Sequence, residues 1–179
     1  MLIRRILPSE YEALGLITLT AYRQLTHGEP LGPYEQQLLD VATRAQDSEV
    51  YVALDDEGHL MGGVTFVPGP ERAMAEFRDP QACGIRMLAT DPEFQGRGAG
   101  RALVHTCVQR AREEHRARII LHSAPAMTLA QSMYLRMGFV RVHELDEFIH
   151  EGANAEGEGV ALHLKAFAFT LEGTLEGDV

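Results

Sequence analysis

Three glycines at alternate positions stand directly before a helix-forming run in the segment DPEFQGRGAGRALV, residues 91–104. Backbone without side chains can approach a ligand closely and expose its amides, and the positive end of a helix dipole attracts anions. The segment therefore predicts either a binding loop for an anionic, phosphate-like group or a tight strand-to-helix turn without a ligand. Both interpretations place Gly96, Gly98 and Gly100 at the junction of a strand and a helix.

Two common phosphate-binding motifs do not match this segment. A nucleoside-triphosphate loop, G-x-x-x-x-G-K-[ST], needs a lysine after its second glycine, but Arg101 stands five residues beyond Gly96 and no lysine follows in the motif. A dinucleotide-binding turn, G-x-G-x-x-G/A, needs a small last residue, where this chain has Arg101 or Leu103. Neither of these two binding loops is therefore expected.

The length and composition predict one globular domain spanning residues 1–179. A chain of 179 residues, of which 45% are hydrophobic, can close a sizeable core. No apolar run approaches the length of a membrane span, and residues 1–15 lack the continuous apolar segment and cleavage site of a signal peptide. We therefore expect a cytoplasmic protein without a membrane partner, as a monomer or a homodimer.

Charge, cysteines and histidines argue against several classes of protein. The net charge of −10 and the pI of about 5.2 should repel phosphate backbones, so nucleic acid is not expected as a partner. Cys83 and Cys107 are too few for a disulfide framework and predict two reduced, buried thiols. The eight histidines show no H-x-x-x-H or comparable spacing, so no metal is expected.

Three signals predict where helices begin, in addition to the glycine segment. Ser9 with Glu12, and Thr128 with Gln131, have the spacing of capping boxes, in which each side chain satisfies a backbone amide at a helix start. Pro33 can open a further helix. Together with the apolar run after the glycines, these signals predict four helices.

Apolar segments bounded by turn residues predict the strands. Residues 55–58 predict the turn of a hairpin, whereas the Gly- and Glu-rich residues 150–159 predict a loop before the last strand. The predicted strands are 2–7, the two arms of the hairpin within 49–69, 83–90, 117–123, 139–145 and 160–171.

Two motifs together resemble the GNAT superfamily of acyl-CoA N-acyltransferases. Residues 95–100, QGRGAG, match the family's pyrophosphate-binding motif Q/R-x-x-G-x-G/A, and residues 134–139, YLRMGF, match its Y-x-x-x-G-F ending. The resemblance implies a single domain of α/β (α+β) class. Its sheet is expected to be mixed and mostly antiparallel, with about six or seven strands, splayed in the middle and flanked by about four helices.

The resemblance also implies acetyl-CoA as a cosubstrate. In the family, pantetheine amides pair with exposed backbone of the splayed central strand, and the pyrophosphate lies on the amides of the glycine loop. The implied cofactor-binding residues are Leu88, Ala89, Thr90, Gln95, Gly96, Arg97, Gly98, Ala99, Gly100 and Arg101.

Tyr134 occupies the position of the family's catalytic tyrosine. The resemblance implies that its phenol, with a pKa of about 10, protonates the departing thiolate of CoA, because a thiol has a pKa of about 8.5. The alternative is a packing role, in which the ring holds a helix against the sheet and the hydroxyl bonds to backbone.

The sequence departs from the family pattern at two positions. Many relatives carry glutamate where this chain has Gly84, and many place a cofactor-contacting asparagine where it has Met127. A glycine cannot accept a proton from the amine, so Glu76 or His122 is expected to act as the base, directly or through water. Their alternative roles are a solvated loop carboxylate and a strand-end histidine that bonds its neighbours.

The expected activity is direct transfer of acetyl from acetyl-CoA to an amine of a small-molecule or peptide acceptor. The alternative is a non-catalytic acyl-CoA-binding or regulatory module of the same fold. The acceptor pocket is expected between the first two helices and the loop before the last strand, where Glu151, Glu156 and Glu158 could attract a cationic amine.

Overall fold

The structure, a computed structural model, describes residues 1–151 and 160–171 of the chain. Eight strands and five α-helices lie within these residues. The strands are β1 (Leu2–Arg5), β2 (Glu49–Leu54), β3 (Leu60–Val67), β4 (Ala82–Thr90), β5 (Arg118–Ser123), β6 (Val140–Arg141), β7 (Glu147–Glu151) and β8 (Val160–Thr170). The helices are α1 (Tyr11–Leu25), α2 (Tyr34–Leu39), α3 (Val41–Asp47), α4 (Ala99–Glu113) and α5 (Thr128–Arg136).

The strands form one mixed sheet in the order β1-β2-β3-β4-β5-β8-β6, and β7 pairs with the first half of β8. β4 and β5 are parallel, whereas the other pairs are antiparallel. The predicted fold class, a mostly antiparallel α/β sheet flanked by helices, is confirmed.

The number of elements differs from the prediction at two places. β7, with the sequence EFIHE, was not expected, because it begins and ends with glutamate, a poor strand former, and runs into the Gly- and Glu-rich segment. The predicted second helix divides at Asp40, whose ψ of 69° is not helical and whose carboxylate accepts a hydrogen bond from the Thr43 amide at 3.0 Å. The described residues therefore contain eight strands and five α-helices, where about six or seven strands and about four helices were expected.

The predicted capping box of Ser9 and Glu12 is wrong. Pro8–Glu10 form a short 3₁₀ turn before α1, and the Glu10 carboxylate, not Glu12, accepts a hydrogen bond from the Leu7 amide at 2.9 Å. Proline is favoured in the first turn of a helix, so the helical turn begins at Pro8, its N-cap is Leu7, and Glu10 is the acidic residue three positions after that cap.

The second predicted capping box, Thr128 with Gln131, is also wrong. The residue before α5 is Met127, and no side chain caps this helix start. The side-chain amide of Gln131 instead donates to the Ala124 carbonyl at 2.7 Å, so it holds the β5–α5 connection rather than the helix start.

Each face of the sheet packs against helices. On one face, α4 and α5 bury side chains such as Leu103 and Tyr134 against Phe66 of β3. On the other face, Leu14 of α1 and Val41 of α3 are buried against β2. The sheet is therefore held between two apolar layers. Each fully buried leucine side chain contributes roughly 1.5–3 kcal/mol to the free energy of unfolding. Within residues 1–151 and 160–171, no helix is long and apolar enough to cross a membrane.

The parallel strands β4 and β5 separate in the middle of the sheet. Ala82–Ile85 pair with Arg118–Leu121, but residues 86–90 of β4 have no partner on β5. Met87, with φ of +50°, lies where β4 has one residue more than β3 between paired positions, which is a β-bulge. Bulges bend a strand, so the backbone groups on the β5 side of 86–90 are left unpaired by the sheet.

Candidate functional site

A cavity of about 920 Å³ lies beside the unpaired end of β4. Four segments form its walls: the end of β4, the glycine turn with the start of α4, the second half of α1, and α5 with the residues before it. Ligand and cofactor sites usually measure about 300–1,000 Å³. The volume and the four-sided enclosure therefore fit a small-molecule site.

Nine of the ten residues predicted to bind the cofactor line this cavity. The exception is Arg97, which is exposed and holds its guanidinium over the Phe94 ring at 5.1 Å. The nine are Leu88, Ala89, Thr90, Gln95, Gly96, Gly98, Ala99, Gly100 and Arg101.

The glycine turn presents an uncapped helix start to the cavity. Gly96 and Gly98 have φ of +78° and +85°, in the left-handed region that side-chain-bearing residues avoid. Gly98 is the N-cap of α4 and has no side chain that could accept a hydrogen bond from the first amides of this helix. A Cβ at either glycine would meet no protein atom within 4 Å. The turn therefore leaves backbone amides and open space where an anion can bind.

The sequence analysis expected the acceptor pocket beside the first two helices, but it did not name the residues of α1 and α5 that line the cavity. Tyr22 and Leu25 of α1 and Met133 of α5 line it, as does Met127 at the position where many relatives have asparagine. The signal was available for α1, because Tyr22 and Leu25 are three residues apart and therefore lie on one face of a helix. Tyr22 adds a phenol to this face.

Tyr134 lies in the core next to the cavity. Its side chain is 5% exposed and packs against Phe139 and Phe167, with ring centroids 5.7 and 6.2 Å away. Its neighbour Met133 lines the cavity, whereas Tyr134 itself does not. Among the described residues, the Tyr134 hydroxyl has no hydrogen-bond partner. Burial, with a smaller effect of Cys107, raises its pKa, so the phenol stays protonated at neutral pH.

Glu76 and His122, the two candidate bases, lie together. One Glu76 carboxylate oxygen is 2.5 Å from the guanidinium of Arg86 on β4, and the other is 3.4 Å from His122 Nδ1 on β5. The carboxylate is 19% exposed. Glu76 is therefore held between two strands that diverge at the cavity, and it is not a freely solvated loop residue.

The loop that carries Glu76 packs over Gly84, which has no side chain. A Cβ at Gly84 would lie 2.6 Å from Cε1 of Phe77, the residue after Glu76. The Phe77 ring thus occupies the space over β4, next to the buried Ile120. Asp47 fixes the start of the loop by accepting hydrogen bonds from the amides of residues 73 and 74 at 2.9 and 3.2 Å. Because Gly84 has no side chain, the Phe77 ring fits over β4, and Glu76 is the residue before it in this loop.

Both ring nitrogens of His122 have partners. Nε2 lies 2.8 Å from the Leu145 carbonyl, which can only accept, so Nε2 carries a hydrogen. Nδ1 faces Glu76, and the side chain is 3% exposed. Burial lowers the pKa of His122, but hydrogen bonds to Glu76 and the Leu145 carbonyl, with the charges of Glu76 and Glu147, raise it above its ordinary value. These surroundings therefore stabilise the doubly protonated ring relative to a free imidazole.

The other expectations concern cysteines, metals and the acidic loop. Cys83 and Cys107 are buried and unpaired, as predicted. Within the part of the chain that the structure describes, no group of three His, Cys, Asp or Glu side chains could hold a metal. Glu156 and Glu158 lie outside the described residues, and only the backbone of Glu151 is described, at the end of β7.

Comparison with known proteins identifies the family. The sequence profile of the Acetyltransferase (GNAT) family matches residues 16–139, which include the glycine turn, Glu76 and Tyr134. The chain belongs to the GNAT acetyltransferase family. It is similar to the uncharacterized N-acetyltransferase YhbS of Escherichia coli strain K12, with 33% identity over 88 residues. These residues are 49% of this chain and 47% of that protein, so the match spans about half of each.

Solved GNAT structures share the fold over almost the whole chain. An acetyltransferase of the GNAT family from Staphylococcus aureus Mu50 has a TM-score of 0.70 at 12% identity and covers 95% of this chain and 98% of its own. yncA from Salmonella typhimurium, solved with its cofactor acetyl-CoA, has a TM-score of 0.65 at 18% identity, with 100% and 98% covered. At such low identities these similarities show a common fold.

Proposed function

We propose that this chain is a single-domain, acetyl-CoA-dependent N-acetyltransferase that acts on an amine of a small-molecule or peptide acceptor. The observation that carries the proposal is the uncapped start of α4, which faces a cavity beside the unpaired edge of β4. Family membership supports the reaction class, and a structural neighbour solved with acetyl-CoA supports the cosubstrate.

The residues around the cavity fit acetyl-CoA. The unpaired backbone of Leu88, Ala89 and Thr90 offers hydrogen bonds to the two pantetheine amides, since only the β3 side of these residues is occupied. The amides of residues 95–101 would hold the pyrophosphate, stabilised by the dipole of the 15-residue helix α4. The bound thioester supplies an activated acetyl group.

We assign the general base to Glu76. A carboxylate can take the proton that the acceptor nitrogen loses, and the Glu76 carboxylate is fixed by Arg86 beside the diverging strands. Nε2 of His122 donates to the Leu145 carbonyl and Nδ1 faces the Glu76 carboxylate, so neither ring nitrogen is directed at an acceptor amine. We infer that His122 is a positioning residue, because its Nδ1 lies 3.4 Å from the Glu76 carboxylate.

We assign the general acid to Tyr134. Its hydroxyl makes no structural hydrogen bond within the described residues and is free to donate, and its raised pKa keeps it protonated. Donation to a thiolate with a pKa of about 8.5 is uphill, so the phenol serves best if the proton moves as the carbon–sulfur bond breaks. The phenol would regain its proton after the thiol leaves.

Thiol release tests the proposal. Purified protein with acetyl-CoA is expected to release CoA thiol faster when a panel of amines is added, and Glu76→Gln is expected to lower this rate while binding acetyl-CoA normally. Calorimetric binding of acetyl-CoA without amine-dependent release across the panel would identify a binding module instead. Absence of acetyl-CoA binding would refute both functions.

A further inference from the structure

We propose that the acceptor is an amine that also carries a carboxylate, and that this carboxylate binds to Arg44 and Arg86. The two arginines belong to a polar cluster between α1, α2, α3 and the sheet, which we call the anion pocket: Tyr22, Tyr34, Arg44, Thr65 and Arg86. The assignment of the ligand as an acceptor rests on the proposed acetyltransferase function. The pocket itself rests on the geometry of these five residues.

Arg44 is a buried cation without an acidic partner. The residue is 3% exposed, and its guanidinium donates to the Leu38 carbonyl at 2.9 Å, at the end of α2. Its Nε is buried and has no partner. No carboxylate forms an ion pair with Arg44 among the described residues, and the nearby Asp40 carboxylate is engaged by the Thr43 amide. A buried charge without a counterion is unfavourable, so a bound anion would complete this site.

The neighbours of Arg44 are suited to an anionic ligand. The ring centroids of Tyr22 and Tyr34 are 6.1 Å apart. Burial raises the pKa of the Tyr34 phenol, and Tyr34 lies close enough to Arg86 for the guanidinium to lower this pKa in part. Thr65 lies opposite Arg86 in the β3–β4 register, is fully buried, and has a hydroxyl without a partner. Two polar atoms of the pocket, Nε of Arg44 and Oγ1 of Thr65, therefore lack a partner. Both the guanidinium and the hydroxyl can donate a hydrogen bond to a carboxylate.

Tyr22 belongs both to the anion pocket and to the wall of the cavity. Its ring centroid lies 6.1 Å from that of Tyr34, so the two sites meet at this residue. An acceptor that extends from the reacting end of the cavity past Tyr22 would place its amine near Glu76. Its second polar group would then reach Arg44.

The charge balance of the pocket favours an anion. Arg86 is neutralised by Glu76, which leaves Arg44 as an excess positive charge. Burial lowers the pKa of Arg44 to about 10, so the guanidinium remains charged at neutral pH. A protein of net charge −10 thus keeps a cationic pocket in its interior. This arrangement disfavours a purely cationic acceptor and favours a zwitterion such as an amino acid.

Paired acceptors test the proposal. Thiol release is measured with each of the standard amino acids and with its carboxamide, which differs only in the missing negative charge. We expect kcat/KM for the best amino acid to exceed that for its carboxamide about 10- to 100-fold, the range for a charge-assisted hydrogen bond. Equal rates for acid and amide, or a preference for the amide, would overturn the proposal.

Arg44→Met is the decisive variant, because it keeps a long apolar side chain and removes the charge. It is expected to abolish the preference for the acid over the amide and to leave acetyl-CoA affinity unchanged. Arg116→Met is the matched control, since Arg116 also has a buried Nε without a partner but bonds the Pro80 carbonyl away from the cavity. A preference that survives in Arg44→Met would refute the role of Arg44.

A binding measurement separates this proposal from the proposed function. N-acetylglycine, which has a carboxylate but no amine, is titrated into the CoA-loaded protein, with N-acetylglycinamide as the control. We expect the acid alone to raise the thermal midpoint in wild type, and neither compound to do so in Arg44→Met. If no amine releases thiol but N-acetylglycine binds in this way, the transferase function fails and the anion pocket stands. If it does not bind, the pocket is refuted.

Discussion

Adding one methyl group at Gly84 should reveal how this protein positions Glu76. A Cβ on Gly84 would lie 2.6 Å from Cε1 of Phe77, closer than real Cβ contacts, so the Phe77 ring must move. Overpacking of this kind costs about 1–3 kcal/mol. Alanine also restricts the unfolded chain and thereby returns about 0.4–1 kcal/mol. Gly84→Ala should therefore destabilise the protein, and it should lower kcat because Glu76 moves with Phe77.

The sign of the effect should reverse when Phe77 is truncated. In a Phe77→Ala background nothing obstructs the new methyl group, so Gly84→Ala should stabilise by about 0.4–1 kcal/mol. The two substitutions are therefore coupled by about 1–3 kcal/mol. In a chain of this size each kcal/mol shifts the thermal midpoint by about 2–4 °C, which calorimetry resolves.

The double-mutant cycle needs four proteins: wild type, Gly84→Ala, Phe77→Ala and the double variant. Urea unfolding gives their free energies of unfolding, and thiol release gives kcat. If Gly84→Ala changes stability by the same amount in both backgrounds, Phe77 does not fill the space over Gly84. The explanation of the missing strand glutamate would then be wrong.

Three further predictions concern Glu76, Tyr134 and the positioning residue His122. Glu76→Gln should lower kcat about 10²–10⁴-fold with little change in acetyl-CoA affinity, and near-normal turnover would remove Glu76 from the mechanism. Tyr134→Phe should lower kcat similarly and leave the thermal midpoint unchanged, because the hydroxyl has no structural partner to lose; normal kcat with a lower midpoint would show a packing role. The pKa of His122 is raised above about 6.5, so its stabilising contribution should be complete below that pH and lost as pH rises through the folded pKa. Urea unfolding of wild type and His122→Gln across this pH range should therefore converge as pH increases, and a constant difference would contradict the assignment.

The cofactor side of the site was predictable because its signals are local. Gly96 and Gly98 occupy left-handed backbone positions at a helix start, and a short sequence window contains the strand, the turn and the helix. Positions 88–90 follow in the same window. Local backbone requirements of this kind are visible in residue types and spacing.

The proposed acceptor side was less predictable because segments distant in the sequence build it. Glu76, Arg86 and His122 meet only because β4 and β5 pair in parallel and a loop folds over Gly84. In the sequence, Gly84 stands where many relatives carry glutamate, which indicates only that a base is missing there. No local pattern indicates that the Phe77 ring occupies the space over Gly84. No local pattern indicates that Arg44 is buried either, since its burial follows from the packing of α3 against the sheet.

Calorimetric titration of acetyl-CoA into wild type, Gly98→Asn and Gly98→Asp tests the central claim most directly. Asn and Asp have nearly the same shape and both tolerate the φ of +85° at this position, and a Cβ there meets no protein atom within 4 Å. The two variants therefore differ only in a negative charge at the start of α4. If the cosubstrate pyrophosphate lies there, Gly98→Asp should bind acetyl-CoA at least about tenfold more weakly than Gly98→Asn, with equal thermal midpoints. Equal affinities for acetyl-CoA in the two variants would contradict the assignment of this turn as the pyrophosphate site.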